Sequence, residues 1–227
     1  MKKLFLAVAA SSFALCAHAT EVLGHSGAMF DNPLSIDTVY SGVGTDAFTW
    51  GTSVTGINHL HFSGTDFNAN TNTPFKLGSF SYTNGTTRSG SNPTSLDFTT
   101  FMNFSQPSLP VVAAKFRLGL NGTLNSQDPR ESSDFVNFTQ TSSGSQFVID
   151  GVAYTVQIAG FRHVTGDGFL ASGGREFHVK EGGTANVDLY AVVTTTPVPE
   201  PETWGMMLAG LGMLSLLTRR RKATSLN

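Results

Sequence analysis

The stretch SLDFTTFMNFS, residues Ser95–Ser105, decides the fold. Successive side chains of an extended strand point to opposite faces, so Leu96, Phe98, Met102 and Phe104 share one face while Asp97, Thr99 and Asn103 share the other. Phe101 interrupts the polar face, which predicts a strand covered in part on both sides.

The same alternation recurs on either side of this stretch. TANVDLYAVVTT (184–195) turns Ala185, Val187, Leu189, Ala191 and Val193 inward. In FVIDGVAYTVQIAGF (147–161), Asp150-Gly151 separates two alternating runs, the second of which places Val152, Tyr154, Val156 and Ile158 on one face. Asp-Gly favours a two-residue type I′ hairpin, because both central residues of that turn need φ > 0. Further strands are predicted around Phe48–Gly51, His59–Phe62, Phe75–Thr83 and Ala113–Leu120, with Asn84-Gly85 and Asn121-Gly122 as turn signals after two of them. Between Thr20 and about Thr196 no stretch sustains apolar residues at i, i+3, i+4 and i+7. The fold class is therefore all-β: an antiparallel β-sandwich, jelly-roll or immunoglobulin-like, with a closed barrel as the alternative. Long loops are expected at Asn68–Pro74 and Asn125–Ser133, and loops at sandwich ends are the first places to look for a site.

Composition agrees with an extracytoplasmic β-protein. Charged residues make up 13% of the 227, about half the share usual in soluble domains, while the 18 Phe supply apolar surface that disordered chains lack. Six of the 14 basic residues (Lys2, Lys3, Arg219, Arg220, Arg221 and Lys222) and two of the 16 acidic ones (Glu200 and Glu202) lie in the terminal segments. The body keeps 8 basic against 14 acidic residues, so it has no basic patch for a phosphate backbone, and nucleic acid is excluded as a partner.

Both ends read as targeting segments around one body domain, residues 20–196. Lys2 and Lys3 precede a short apolar run that closes on Ala17-His18-Ala19, the pattern of a secretory signal peptide (1–19) cleaved by signal peptidase after Ala19. Cys16 is the only cysteine and falls inside the removed segment, so the mature body offers no disulfide, thiol nucleophile or thiolate metal ligand. At the other end, Trp204–Leu217 is a single short apolar helix of 14 residues, about 21 Å at 1.5 Å per residue. That is short of a bilayer core of about 30 Å, which predicts a transient inner-membrane hold with Arg219–Lys222 on the cytoplasmic side.

Candidate chemistry in the body is sparse. His59 and His61 share a strand face and could hold Zn²⁺ or Cu²⁺ if His163, His178 or a carboxylate folded nearby; otherwise they are solvent-side polar residues. Asp66, Asn68 and Asn70 place oxygen ligands at alternate positions, like the first half of a calcium loop. Thr71 and Leu77 stand where an EF-hand needs Gly and Glu, leaving an irregular Ca²⁺ site or a self-bonded Asx-rich loop. No other cofactor is implied. Asp128, Arg130, Glu131 and Asp134 could include a carboxylate pair for glycoside hydrolysis, or form a solvated charged loop. Trp50, Tyr40 and Tyr82 are the aromatic platforms on which a glycan could stack, Trp50 being more readily read as core. Neither G-x-S-x-G nor H-E-x-x-H occurs.

Pro199-Glu200-Pro201, the apolar helix behind it and Arg219-Arg220-Arg221 resemble the PEP-CTERM sorting signal of Gram-negative bacteria, spanning 197–222. The resemblance implies recognition by a membrane-embedded exosortase, cleavage near Pro-Glu-Pro, and release or re-attachment of the body at the cell surface, typically in bacteria that make exopolysaccharide. Some collections name this tail after ice-binding proteins, but no flat repeated Thr array is readable in the body. The body is similar to the choice-of-anchor K family on GVGTDAFTWG (42–51), TPFKLGSFSYTNGT (73–86), IDGVAYTVQIAGF (149–161) and EGGTANVDLYAVV (181–193), a family that implies no catalytic residues. The expectation is an exported, non-enzymatic surface or matrix protein acting with extracellular polysaccharide. A carbohydrate-binding module with a defined glycan site is the alternative, and a secreted hydrolase stands behind both.

Overall fold

The computed structural model describes residues 21–34, 38–124, 126, 128, 130–143, 146–149 and 152–197. The expected signal peptide with Ala17 and Ala19, the sorting segment from residue 198 with Pro199, Glu200, Pro201, Arg219, Arg220 and Arg221, and the turn residues Asp150-Gly151 lie outside the described residues.

Two seven-stranded sheets form the sandwich. One runs, in spatial order, β12 (Gly168–Ala171), β13 (Glu176–Val179), β9 (Asp134–Ser143), β8 (Val112–Asn121), β7 (Ser95–Gln106), β1 (Glu21–Leu34) and β5 (Asp66–Asn70). The other runs β10 (Gln146–Ile149), β11 (Val152–Gly166), β14 (Thr184–Pro197), β6 (Phe75–Thr83), β4 (Asn58–Gly64), β3 (Ala47–Trp50) and β2 (Tyr40–Ser41). Every neighbouring pair is antiparallel. Among the described residues there is no helix.

The opening stretch is β7, near the middle of its sheet, and Leu96, Phe98, Met102 and Phe104 all face the core. Phe98 is the hub: its ring lies 5.1 Å from Phe62 and 5.1 Å from Phe80 of the facing sheet, 5.7 Å from Phe30 and 6.2 Å from Phe138. Tilted and edge-to-face rings at such spacings add to the area they bury, which is why a Phe-rich, charge-poor chain closes a two-layer core. The polar face of β7 is covered as expected. Asp97 is buried there under Lys115 (2.7 Å), Arg117 (2.6 Å) and the Asn32 amide (2.9 Å). Burial by itself would raise the Asp97 carboxyl, but these three bonds outweigh it and hold the group below its ordinary range.

Strand β14 buries Ala185, Val187, Leu189, Ala191 and Val193 as the alternation requires. The β10–β11 hairpin pairs Ile149 with Val152, leaving a two-residue connection at Asp150-Gly151. A bulge between Ile158 and Gly160 shifts the parity of β11, so that Phe161 points inward after Tyr154 and Val156. Gly160 sits there at φ 113°, a conformation open to glycine.

The loop expected at Asn68–Pro74 is different. Residues 66–70 form β5, the edge strand paired with β1, and only the segment after Asn70 turns. Phe67 and Ala69 supply the inward face and outweigh the poor strand propensity of Asn. The chain crosses between sheets at Gly64-Thr65, where the Ser26 hydroxyl, within reach of the carbonyls of both Leu77 and Thr65, shares its one proton between them and accepts from the Thr65 N–H.

Register fixes which loops share an end. Thr184 pairs with Thr83 at one end and Val152 with Pro197 at the other, so β14 runs the length of the sandwich, about 43 Å at 3.3 Å per residue. The Pro197 end also gathers Glu21 and a groove of about 360 Å³ lined by Leu109–Ala113 and Gln146–Val148, mostly apolar. The opposite end gathers the β6–β7, β8–β9 and β13–β14 connections.

Candidate functional site: a polar cleft at the end opposite the tail

The β6–β7 and β8–β9 connections enclose an open cleft of about 530 Å³ whose lining includes Arg88, Asn92, Asn121, Thr123, Asp134 and Glu181. Asp134 opens β9 and is only 6% exposed. Its Oδ1 accepts the Thr123 N–H at 2.7 Å and the Thr123 hydroxyl at 3.3 Å. Burial raises the Asp134 carboxyl to about 6, the Glu181 charge adds to the rise, and the Thr123 bonds oppose it. The Tyr82 hydroxyl is pushed well up by burial and then by the same two carboxylates, so all three groups share one field.

Buried amides hold the cleft walls. Asn58 is fully buried; its Oδ1 accepts the Gly85 N–H (3.1 Å) and the Tyr82 hydroxyl (3.4 Å), and its amide donates to Asn92 Oδ1 at 3.5 Å. The Thr87 hydroxyl donates to the same Asn92 oxygen at 3.1 Å. Asn84 ties the β6–β7 connection to the β13–β14 turn, since its side-chain amide donates to Val179 O (2.9 Å) and its backbone carbonyl accepts the Gly182 N–H (2.9 Å). Ser132 ties its own loop, accepting the Ser126 N–H at 2.7 Å and donating to Asp128 O at 3.0 Å. Gly122 leaves space at the rim: a Cβ there would lie 3.0 Å from Asn92 Nδ2 and 3.6 Å from Asp134 Oδ2. The absent side chain keeps the second carboxylate oxygen reachable from the cleft.

Outside the cleft, the outer face of the sheet carries a cross-strand stack. His178 lies between Phe135 (4.5 Å) and Phe169 (4.8 Å), and Arg130 caps Phe169 at 4.9 Å. Glu176, 3.2 Å from His178, is held below its ordinary range by that contact.

The proposed aromatic platforms fall differently from one another. Trp50 and Tyr82 are both 2% exposed and stack on each other at 5.6 Å in the core, with Phe48 beside Trp50 at 5.7 Å, so neither offers a face to a glycan. Tyr40, 42% exposed on the edge strand β2, keeps its outer surface. His59 and His61 stand on the outer face of β4, and His61 approaches Asp46 at 3.8 Å. His163, on β11, lies three strands or about 14 Å away and pairs with Asp188 of β14 (3.2 Å), and His178 is on the other sheet. Asp66, Asn68 and Asn70 repeat along the outward side of an edge strand instead of curling around a centre, and Asp66 bonds His25 at 2.7 Å. Among the described residues no three His, Cys, Asp or Glu side chains converge. Of the charged loop, Asp128 caps the Arg130 N–H (2.8 Å), and only Asp134 reaches the cleft.

Glu181 was not singled out by the sequence. It reaches the cleft only because the β13–β14 turn folds against the start of β9, a juxtaposition across 47 positions that no local motif announces.

No curated protein matches the chain. The PEP-CTERM protein-sorting motif matches residues 197–222, beginning at the last residue of β14, and marks this as an exported protein processed by an exosortase, on the route by which Gram-negative bacteria deliver proteins to the cell surface or beyond.

Proposed function

We propose that the mature body is a non-enzymatic surface or matrix protein that works with extracellular polysaccharide in adhesion or matrix structure. The sorting motif carries this reading, because it delivers the body to the place where such polymer accumulates. The body suits that role, with a closed Phe-rich core, outer faces rich in Thr, Ser and Asn, and no thiol to oxidise once the segment holding Cys16 is removed. Signal peptidase and exosortase are its partners during export, and its stay in the inner membrane is transient. The likeness to the choice-of-anchor K family belongs to the same reading.

The test is retention of the processed protein on polysaccharide purified from the producing cells, with and without Ca²⁺. Retention supports the reading, and its loss on removing Ca²⁺ would assign a cation to the contact. Free elution of a folded protein in both buffers refutes it. A glycan-binding module with one defined site is favoured by a specific observation, the polar cleft at the end of the sandwich opposite Pro197.

A further inference from the structure

The cleft has the chemistry of a hydroxyl-rich, uncharged ligand. Its amides and hydroxyls (Asn92, Asn121, Thr87 and Thr123) both donate and accept, while the exposed Leu124 offers a small apolar surface to sugar C–H groups at the rim. Phosphate-bearing or acidic ligands are disfavoured by Asp134 and Glu181, against which Arg88 stands exposed at the rim. The volume of about 530 Å³ lies within the range of small-ligand sites. Gly122 opens the approach to Asp134 Oδ2, and Thr123 fixes the other oxygen, so the carboxylate is oriented before any ligand arrives.

We propose that this cleft is a saccharide site, taking sugar units of a neutral extracellular polysaccharide whose hydroxyls donate to Asp134. The assignment rests on the proposed meeting of body and polysaccharide and says where that meeting occurs. Hydroxyl donation favours the ionised carboxylate, and the groups facing Asp134 are Glu181 from the β13–β14 turn, Tyr82 from β6 and, at the rim, Arg88 from the β6–β7 connection. With the Asp134 carboxyl at about 6, roughly a tenth of the sites are ionised at pH 5, so affinity falls about tenfold between pH 7.5 and pH 5.

Polysaccharide purified from the producing cells is separated into neutral and acidic fractions and titrated calorimetrically into the processed protein at pH 7.5 and pH 5. The expected result is saturable binding of the neutral fraction, weakened about tenfold at pH 5 and at least tenfold in Asp134→Asn. Gly122→Leu, which fills the approach and leaves the carboxylate in place, should weaken binding as strongly. Near-ultraviolet circular dichroism establishes that both variants are folded. Undiminished binding in both variants overturns the cleft assignment while leaving the polysaccharide reading intact. Absence of any binding by the wild type overturns both. Binding confined to the acidic fraction overturns the neutral-sugar assignment. Release of reducing ends that Asp134→Asn abolishes would replace a binding site with a hydrolytic one.

Discussion

Replacing Asp134 by Asn should stabilise the protein above neutrality and remove a distinctive feature of its pH profile. The carboxyl binds its proton more tightly in the folded chain, at about 6, than at its ordinary value of 3.8. Below pH 3.8 it is protonated in both states and the folded state bears no penalty. As pH rises from 3.8 to 6, the unfolded chain gives up this proton while the folded one, with the carboxyl 6% exposed beside Glu181, keeps it, so stability is lost across that window and the full penalty stands above it. Lifting the carboxyl from 3.8 to about 6 corresponds to about 3 kcal/mol, an upper figure because the cleft admits water. Asn keeps an oxygen for the Thr123 N–H and carries no charge at any pH, so the variant should gain up to about 3 kcal/mol at pH 8 and under about 1 kcal/mol at pH 4. Asp97 and Asp188 do not obscure this: both are held below 3.8, so their contribution is present above that value and is lost only as pH falls below it. Urea titrations of the processed protein at pH 4, 6 and 8 measure the effect, which amounts to a midpoint difference of about 1–2 M at pH 8. Parallel pH profiles for the two proteins, or a less stable variant at pH 8, would refute the assignment of this carboxylate.

Phe98→Ala removes the ring that Phe62, Phe80, Phe30 and Phe138 all touch, and should cost about 3–5 kcal/mol in the same urea assay; a loss under about 1 kcal/mol would show that the hub is not tightly packed. Gly64→Ala would put a Cβ 1.9 Å from the Ser26 carbonyl oxygen, a backbone atom that cannot yield without moving β1, so the variant should not accumulate as folded protein; a wild-type melting temperature sinks that expectation. Changing Pro199, Glu200 and Pro201 together to Ala should leave the tail on the exported protein, seen as intact C-terminal peptides by mass spectrometry; normal trimming would separate processing from this tripeptide.

What the sequence disclosed depended on how local the determinant was. The inward faces of β7 and β14 follow from period-two alternation, because burial on one side of a pleated strand writes itself directly into the spacing of Leu, Phe and Val. The β5 edge was hidden because Asp66, Asn68 and Asn70 have loop chemistry, and Phe67 and Ala69 are too few to register as a run. The core reading of Trp50 was legible from its apolar strand, but the burial of Tyr82 depends on Phe177 of the facing sheet, which no single strand specifies. Asp134 stood within a charged cluster in the sequence, but its neighbours in space are Thr123, Glu181 and Tyr82, brought together by β8, the β13–β14 turn and β6.

The ends of the sandwich differ in chemistry, and β14 connects them. At Pro197 the strand passes into the sorting motif, beside an apolar groove; about 43 Å away, before Thr184, the chain has just passed Glu181 at the cleft. The sorting motif therefore begins at the end of the sandwich opposite the cleft. Cleavage near Pro199-Glu200-Pro201 would change what carries the body without disturbing the cleft, because Asn58, Asn84, Asn92 and Thr123, which shape it, belong to the opposite end. On the proposed reading, delivery and recognition are then physically separable in this chain. Loss of the tripeptide should therefore alter the protein's location and leave its affinity for polysaccharide unchanged, whereas loss of Asp134 should do the reverse.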